Sequence, residues 1–262
     1  MGKTFDVITI GDVMHDTFLM LDEAKVVCTI NKSACLLCLN YADKIPVKDV
    51  KTSIAGNAAN AAIGFSRLGL HAGIVTVTGG DEHGKQAYET FKSEGVDTRY
   101  VLYEKDTPTN VSTVINYLGE RTILVYHHPR KYSLPKLASA KMVYVTSMAA
   151  GSERLYPDII HFIKQNSAIL VFNPGTFQLR AGPSQSKNIL RKTTVLILSL
   201  DEASLWAGIE KTVAPDRIAK ALISFGPKIV VITDGVNGSY AYSAKRLWKL
   251  GIYKVSRREA TG

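Results

Sequence analysis

With 262 residues and 46% apolar content, the chain is long enough to bury a large core as one domain or two modest ones. Its formal charge of +9 comes from 32 Lys and Arg against 23 Asp and Glu. The basic residues are scattered, only RREATG and HHPRKY cluster, and no aromatic residues interleave with them, which argues against a nucleic-acid partner and for anionic small molecules such as phosphates. No apolar run approaches the ~20 residues of a membrane span, and the opening MGKTFDVITIGD is not a secretory signal, so no membrane partner and a cytoplasmic location are expected.

In chain order, FDVITI (5–10) is a short β-branched run ending at Gly11, which predicts a buried strand. The next segment, 17–54, is more polar and carries all three cysteines, Cys28, Cys35 and Cys38. With His15 as a fourth ligand they would suit a zinc site, but reduced thiols packed in the apolar ACLLCL is the favoured reading. Helix is predicted over 57–69, strand over 72–78 and helix over 84–95.

Between that strand and helix, residues 79–86 (GGDEHGKQ) imitate a phosphate-binding loop, GxxxxGK followed by Ser or Thr. Gln86 replaces the hydroxyl that would hold Mg²⁺, and Asp81 and Glu82 would repel phosphate, so a strand-to-helix turn is expected, its acids favouring the helix N-terminus. Residues 100–128 are strand-like, and VSTVINYLGERTILVYH reads as a hairpin turning at Leu118-Gly119-Glu120. Together with 17–54 this segment predicts a small sheet projecting from the body, a lid or a dimer surface.

Thereafter strands at 141–147, 167–173, 193–199 and 228–234 alternate with helices at 153–166 and 215–226. This order predicts one α/β domain over 1–262, a mostly parallel sheet with helices on both faces and a small β lid. Ligands of such sheets bind beyond the carboxyl ends of the strands. No GxGxxG follows the first strand, which argues against a dinucleotide-dependent dehydrogenase.

The motifs GDVMHD, AGNAANAAIGFSRLG, GGDEHGKQ with FKSEGVDT, LGERT, LSLDEASLWAG and VVITDGVNGSYAY occur in that order from the first strand to the end of the chain. Their succession resembles the ribokinase-like (PfkB) family of carbohydrate and nucleoside kinases. The resemblance implies an ATP-dependent transfer of the γ-phosphate to a hydroxyl of a sugar or nucleoside, with Mg²⁺ and a monovalent cation as cofactors. Asp16 then takes the position that accepts hydrogen bonds from the acceptor's hydroxyls, with Asp12 a second acidic candidate. Gly56 lets the backbone approach the acceptor, and Asn57 and Asn60 lie in the same helix start. On the nucleotide side the resemblance implies Asn173, Ser199, Thr233, Gly235 and Gly238, with Glu202 holding Mg²⁺ through water. Ser199 stands where the family has Asn, and Ala55 where it usually has the first of two glycines.

The last residues, Glu259-Ala260-Thr261-Gly262, match the first four positions of the family's (D/N)TTGAGD motif. There Thr261 and Gly262 would begin the anion hole, and the catalytic base would follow them. The expectation is a C-terminally truncated kinase that transfers phosphate poorly. The alternative is a non-catalytic sugar- or nucleotide-binding pseudo-kinase. A homodimer through the lid strands is a further expectation.

Overall fold

Runs such as FDVITI and IVVIT lack polar alternation because their strands are covered on both faces. In the computed structural model, which describes residues 4–29, 35–243 and 246–253, they form the middle of a nine-stranded sheet. β1 (Phe5–Ile10) is followed by β2 (Met14–Leu21), β3 (Lys25–Cys28), β4 (Cys35–Cys38) and β5 (Val47–Ala55), which leave the body. Helix α1 (Asn57–Arg67) returns the chain to β6 (Ala72–Gly79), and α2 (Glu82–Ser93) leads to β7 (Val101–Glu104). β8 (Asn110–Tyr117) and β9 (Glu120–Tyr126) leave again, before β10 (Ala140–Val145) pairs with the other side of β1.

From there α3 (Tyr156–Asn166), β11 (Ile169–Phe172), α4 (Thr176–Ala181), α5 (Lys187–Leu190) and β12 (Val195–Ser199) follow. α6 (Leu200–Ala207), α7 (Pro215–Ile223) and β13 (Ile229–Thr233) continue the alternation. Antiparallel β14 (Ser239–Ser243) and β15 (Arg246–Leu250) close the edge. The order is β15-β14-β13-β12-β11-β10-β1-β6-β7, parallel from β13 to β7.

Two apolar layers hold this sheet. Ile8, Val143, Leu170, Leu196 and Ile232 belong to one large cluster with the helices that follow β10. On the opposite side Ala58, Ala59 and Ala62 of α1 pack with Val13, Ile74 and Phe91. Alanines bring that helix close to the strands, and close packing is what places its first turn beside the end of β1.

The small sheet has the order β5-β2-β8-β9. Its hairpin turns at Leu118 and Gly119, both with positive φ (51° and 80°), as a two-residue primed turn requires. Of residues 100–128, β7 pairs with β6 in the main sheet, while β8 and β9 build the lid. β3 and β4 form a separate two-stranded ribbon.

The cysteine expectation is corrected there. Cys28 and Cys35 are opposite each other in the antiparallel register and form a disulfide, with Cα atoms 4.0 Å apart, and only Cys38 is free. Antiparallel register, which spacing alone did not reveal, makes the pair; such a bond is uncommon in a reducing compartment. Among the described residues no cluster of His, Cys, Asp and Glu could hold a metal ion. No helix among them is long and apolar enough to cross a membrane.

Candidate active site

The chain runs from β1 to β6 and β7 on one side, then from β10 to β13 on the other, so strand order reverses between β1 and β10. Open α/β sheets bind ligands in the crevice at such a point. The two strand ends are stitched together: the Thr146 amide donates to the Ile10 carbonyl at 2.9 Å and the Asp12 amide to the Ser147 carbonyl at 2.8 Å. The small sheet springs from the same place, since β2 begins directly after Asp12 and Val13.

Asp12 is 2% exposed. Its Oδ2 accepts from His127 Nδ1 at 3.0 Å and from the Ala149 amide at 2.9 Å, and the Tyr132 hydroxyl donates across both oxygens at 2.8 and 2.9 Å. Burial, and then the Asp12 charge, hold the Tyr132 hydroxyl far above its ordinary titration range.

Asp16 lies on the small sheet, not in a turn, and pairs with Ser112 of β8 and Ser53 of β5. Its Oδ1 accepts from Ser112 Oγ at 2.6 Å. Burial pushes its carboxyl above the usual value while the Ser112 hydrogen bond pulls it back. Beside it, His15 stacks on His83 with centroids 3.9 Å apart. Burial first and the His83 charge second lower its pKa.

Gly56 caps α1 with φ +103°, and a Cβ there would sit 2.6 Å from the Asp12 carbonyl oxygen. Only glycine fits both the conformation and the approach. Asn57 and Asn60 are exposed in the first turn of the same helix, Asn60 donating its amide to the Gly56 carbonyl. Asp12, Asp16, Gly56, Asn57 and Asn60 therefore lie where the lid joins the carboxyl end of β1.

The residues expected on the nucleotide side lie at the neighbouring strand ends. Asn173, just past β11, donates from Nδ2 to the Ile197 carbonyl at 2.9 Å and accepts from the Tyr144 hydroxyl at 3.1 Å. Its side chain thus binds three strands together. Ser199 and Thr233 are register partners at the ends of β12 and β13.

Ser199 also caps α6. Its amide donates to Glu202 Oε2 at 2.7 Å, and its Oγ accepts from the Glu202 amide at 3.3 Å. Beyond this reciprocal box, no described residue bonds Glu202 Oε1, which lies at a helix start suited to anions. Asp201 is exposed and paired with Lys211. Gly235 and Gly238 shape the tight link from β13 to β14, where a Cβ on Gly238 would strike the Leu250 carbonyl. Thr261 and Gly262 lie outside the described residues.

The phosphate-loop mimic is a capped turn. Asp81 accepts from the Gly84 and Thr109 amides, each at 2.9 Å, and from the Thr109 hydroxyl at 2.5 Å. Burial raises its pKa, but these bonds outweigh it and the net shift is downward. The loop's carboxylate thus faces the chain before β8.

Cavities of about 380 and 340 Å³ lie against the β3–β4 ribbon and hold none of the residues above. One of about 290 Å³, lined by Ala149, Phe177 and Gln178, borders the crevice. Strand-end chemistry locates the site better than cavity size does. His127 and Tyr132 were missed in sequence, where HHPRKY stood out only as a basic cluster. Their partner Asp12 is more than a hundred residues away.

A family model described as pfkB family carbohydrate kinase matches residues 18–260. The chain belongs to the pfkB family. Its pfkB relatives include a 5-dehydro-2-deoxygluconokinase of Shouchella clausii, 25% identical over 97% of this chain and 78% of the relative. A ribokinase of Staphylococcus aureus is 26% identical over 79% of this chain and 69% of its own length. Among solved structures, Arabidopsis thaliana ribokinase complexed with ribose and ATP matches with TM-score 0.76 at 17% identity, covering 97% of this chain and 80% of that one. An E. coli putative ribokinase II in complex with ATP and Mg²⁺ matches with TM-score 0.71 at 19% identity, over 98% and 82%. The expected ribokinase-like fold of this pfkB chain is borne out.

Proposed function

We propose that the chain binds ATP at the ends of β11–β13 and a sugar or nucleoside beneath the small sheet, for transfer of the γ-phosphate to an acceptor hydroxyl. The observation that supports this reading is that β1, β12 and β13 belong to the parallel part of one sheet, so Ser199 and Thr233 end their strands on the same edge at which β1 leads into β2 and Asp16. The relatives named as 5-dehydro-2-deoxygluconokinase, ribokinase and fructokinase support a sugar acceptor.

Phosphoryl transfer asks for positioning and charge neutralisation more than for covalent catalysis. Asp16 orients the acceptor by accepting from its hydroxyls. Gly56, Asn57 and Asn60 line the acceptor's approach, and Asp12 belongs to the same side. Asn173, Ser199, Thr233, Gly235 and Gly238 frame the nucleotide. Glu202 fits a Mg²⁺ held through water: one carboxylate oxygen is bonded by no described residue, and magnesium on nucleotides takes few protein ligands. When bound, Mg²⁺ neutralises charge on the phosphate oxygens. Thr261 and Gly262 would contribute amides of an anion hole.

ADP release coupled to a reporter tests this with 5-dehydro-2-deoxygluconate, ribose, fructose, adenosine and inosine, on the 262-residue chain and on a version extended by Ala-Gly-Asp. Turnover of one acceptor by either form supports the kinase. Thermal stabilisation by sugar or ATP without turnover in both forms supports the binding-only alternative.

A homodimer through the lid is the second element. β9 is an open edge carrying exposed Ile123, Leu124, Val125 and Tyr126, a surface that pairing would cover. Light scattering of the wild type against an Ile123→Lys, Val125→Lys variant tests it, a monomeric wild type counting against the dimer.

A further inference from the structure

Four chain crossings join the small sheet to the body: residues 11–13, 56, 105–109 and 127–139. The first carries Asp12 itself, those at 56 and 127–139 meet Asp12 directly, and 105–109 is held by Arg130 and leads into Asn110, which bonds Val13. Gly56 packs against the Asp12 carbonyl. Asn110 donates from Nδ2 to the Val13 carbonyl at 3.2 Å and accepts the His128 amide on Oδ1 at 2.9 Å. Arg130 grips the stretch before β8, donating to Glu104 Oε2 and the Pro108 carbonyl, each at 2.6 Å. His127 and Tyr132 close the set on the Asp12 carboxylate itself.

That carboxylate has little capacity left. A carboxylate offers about four acceptor sites, and here three donors from two segments converge on it in a buried place. A buried charge persists only where such donors satisfy it. Because a carboxylate accepts only, His127 must carry its proton on Nδ1. Tyr132 gives its single proton to Asp12 and accepts the Ala149 amide at 3.0 Å. At most one acceptor site remains on this 2% exposed carboxylate, whereas Asp16, four residues on, is half-buried and among the described residues is held by one hydroxyl.

We propose that Asp12 is a positioning residue: through His127 and Tyr132 it pins the small sheet to the strand ends, and so sets where Asp16 stands over the crevice. The consequence for Asp16 rests on the kinase reading above; the pinning does not.

Hydrogen exchange and kinetics on the full chain test both parts. His127→Leu and Tyr132→Phe should each speed exchange of the β2, β8 and β9 amides by about tenfold, the least expected from losing a hydrogen bond to a buried charge, with β11–β13 unchanged. The same variants should raise KM for the acceptor by about tenfold and leave KM for ATP within about threefold. His127→Asn, which keeps an N–H donor near the Nδ1 position, should restore both. Asp16→Asn should raise the acceptor KM without altering exchange. Wild-type exchange in both His127→Leu and Tyr132→Phe, or acceleration spread equally over β11–β13, overturns the pinning. If no acceptor is phosphorylated by wild type, the kinase reading fails, and the exchange measurements still decide the pinning.

Discussion

Ser112 Oγ donates to Asp16 Oδ1 at 2.6 Å across the parallel pair β2–β8. This bond opposes the upward push that burial exerts on the Asp16 carboxyl. In Ser112→Ala the counterweight is gone and the pKa rises further. In the proposed kinase reading Asp16 accepts from a sugar hydroxyl when ionised, so activity falls as pH drops through its pKa, and a higher pKa brings that fall at higher pH. The acid limb of kcat/KM for the acceptor should therefore move upward in Ser112→Ala; an unmoved limb would show that Asp16 does not control acceptor use.

The His15–His83 stack predicts a loss of stability in mild acid. The folded pKa of His15 lies below its ordinary 6.5 because burial, and then the His83 charge, disfavour the imidazolium. The unfolded chain takes up the proton first, so this contribution is present above pH 6.5 and lost as pH falls toward the folded pKa. Urea midpoints measured between pH 7.5 and 5 should fall for wild type and fall less for His15→Phe, which keeps a ring against His83.

Gly56→Ala should destabilise the fold by about 1–3 kcal/mol, since it adds a strained φ and a clash with backbone that cannot move aside cheaply. Because the Asp12 carbonyl is the obstacle, the acceptor KM should rise together with the drop in denaturation midpoint.

The Mg²⁺ role proposed for Glu202 is separable from its capping of α6. Glu202→Gln keeps an oxygen for the Ser199 amide and should leave stability within about 0.5 kcal/mol, yet reduce Mg²⁺-dependent turnover by roughly tenfold. Glu202→Ala also loses the capping box and about 1 kcal/mol. Equal turnover in wild type and Glu202→Gln would leave the residue a cap alone.

Much of the architecture was legible because its signals are local. The strand over 5–10 appears with the expected bounds, those over 72–78 and 228–234 within one residue, and the hairpin turns at Leu118-Gly119. The short helices α4, α5 and α6 escaped notice, for segments this brief carry too little periodicity to read. The disulfide escaped because register, not spacing, brings Cys28 to Cys35. His127 and Tyr132 escaped because nothing near them in sequence announces Asp12.

Residue order by itself determined the alternating strands and helices, the parallel sheet and the strand ends that are the candidate ligand sites, since hydrophobic periodicity and turn chemistry act over a few residues. Only the tertiary structure decided how those strand ends are used. It buried the Asp12 carboxylate among donors 115 to 137 residues away, and it left Asp16 on the small sheet with one hydroxyl partner among the described residues. Two acids four positions apart look equivalent in sequence; burial and the donors that long-range folding brings to each make one a pin and leave the other available to a ligand.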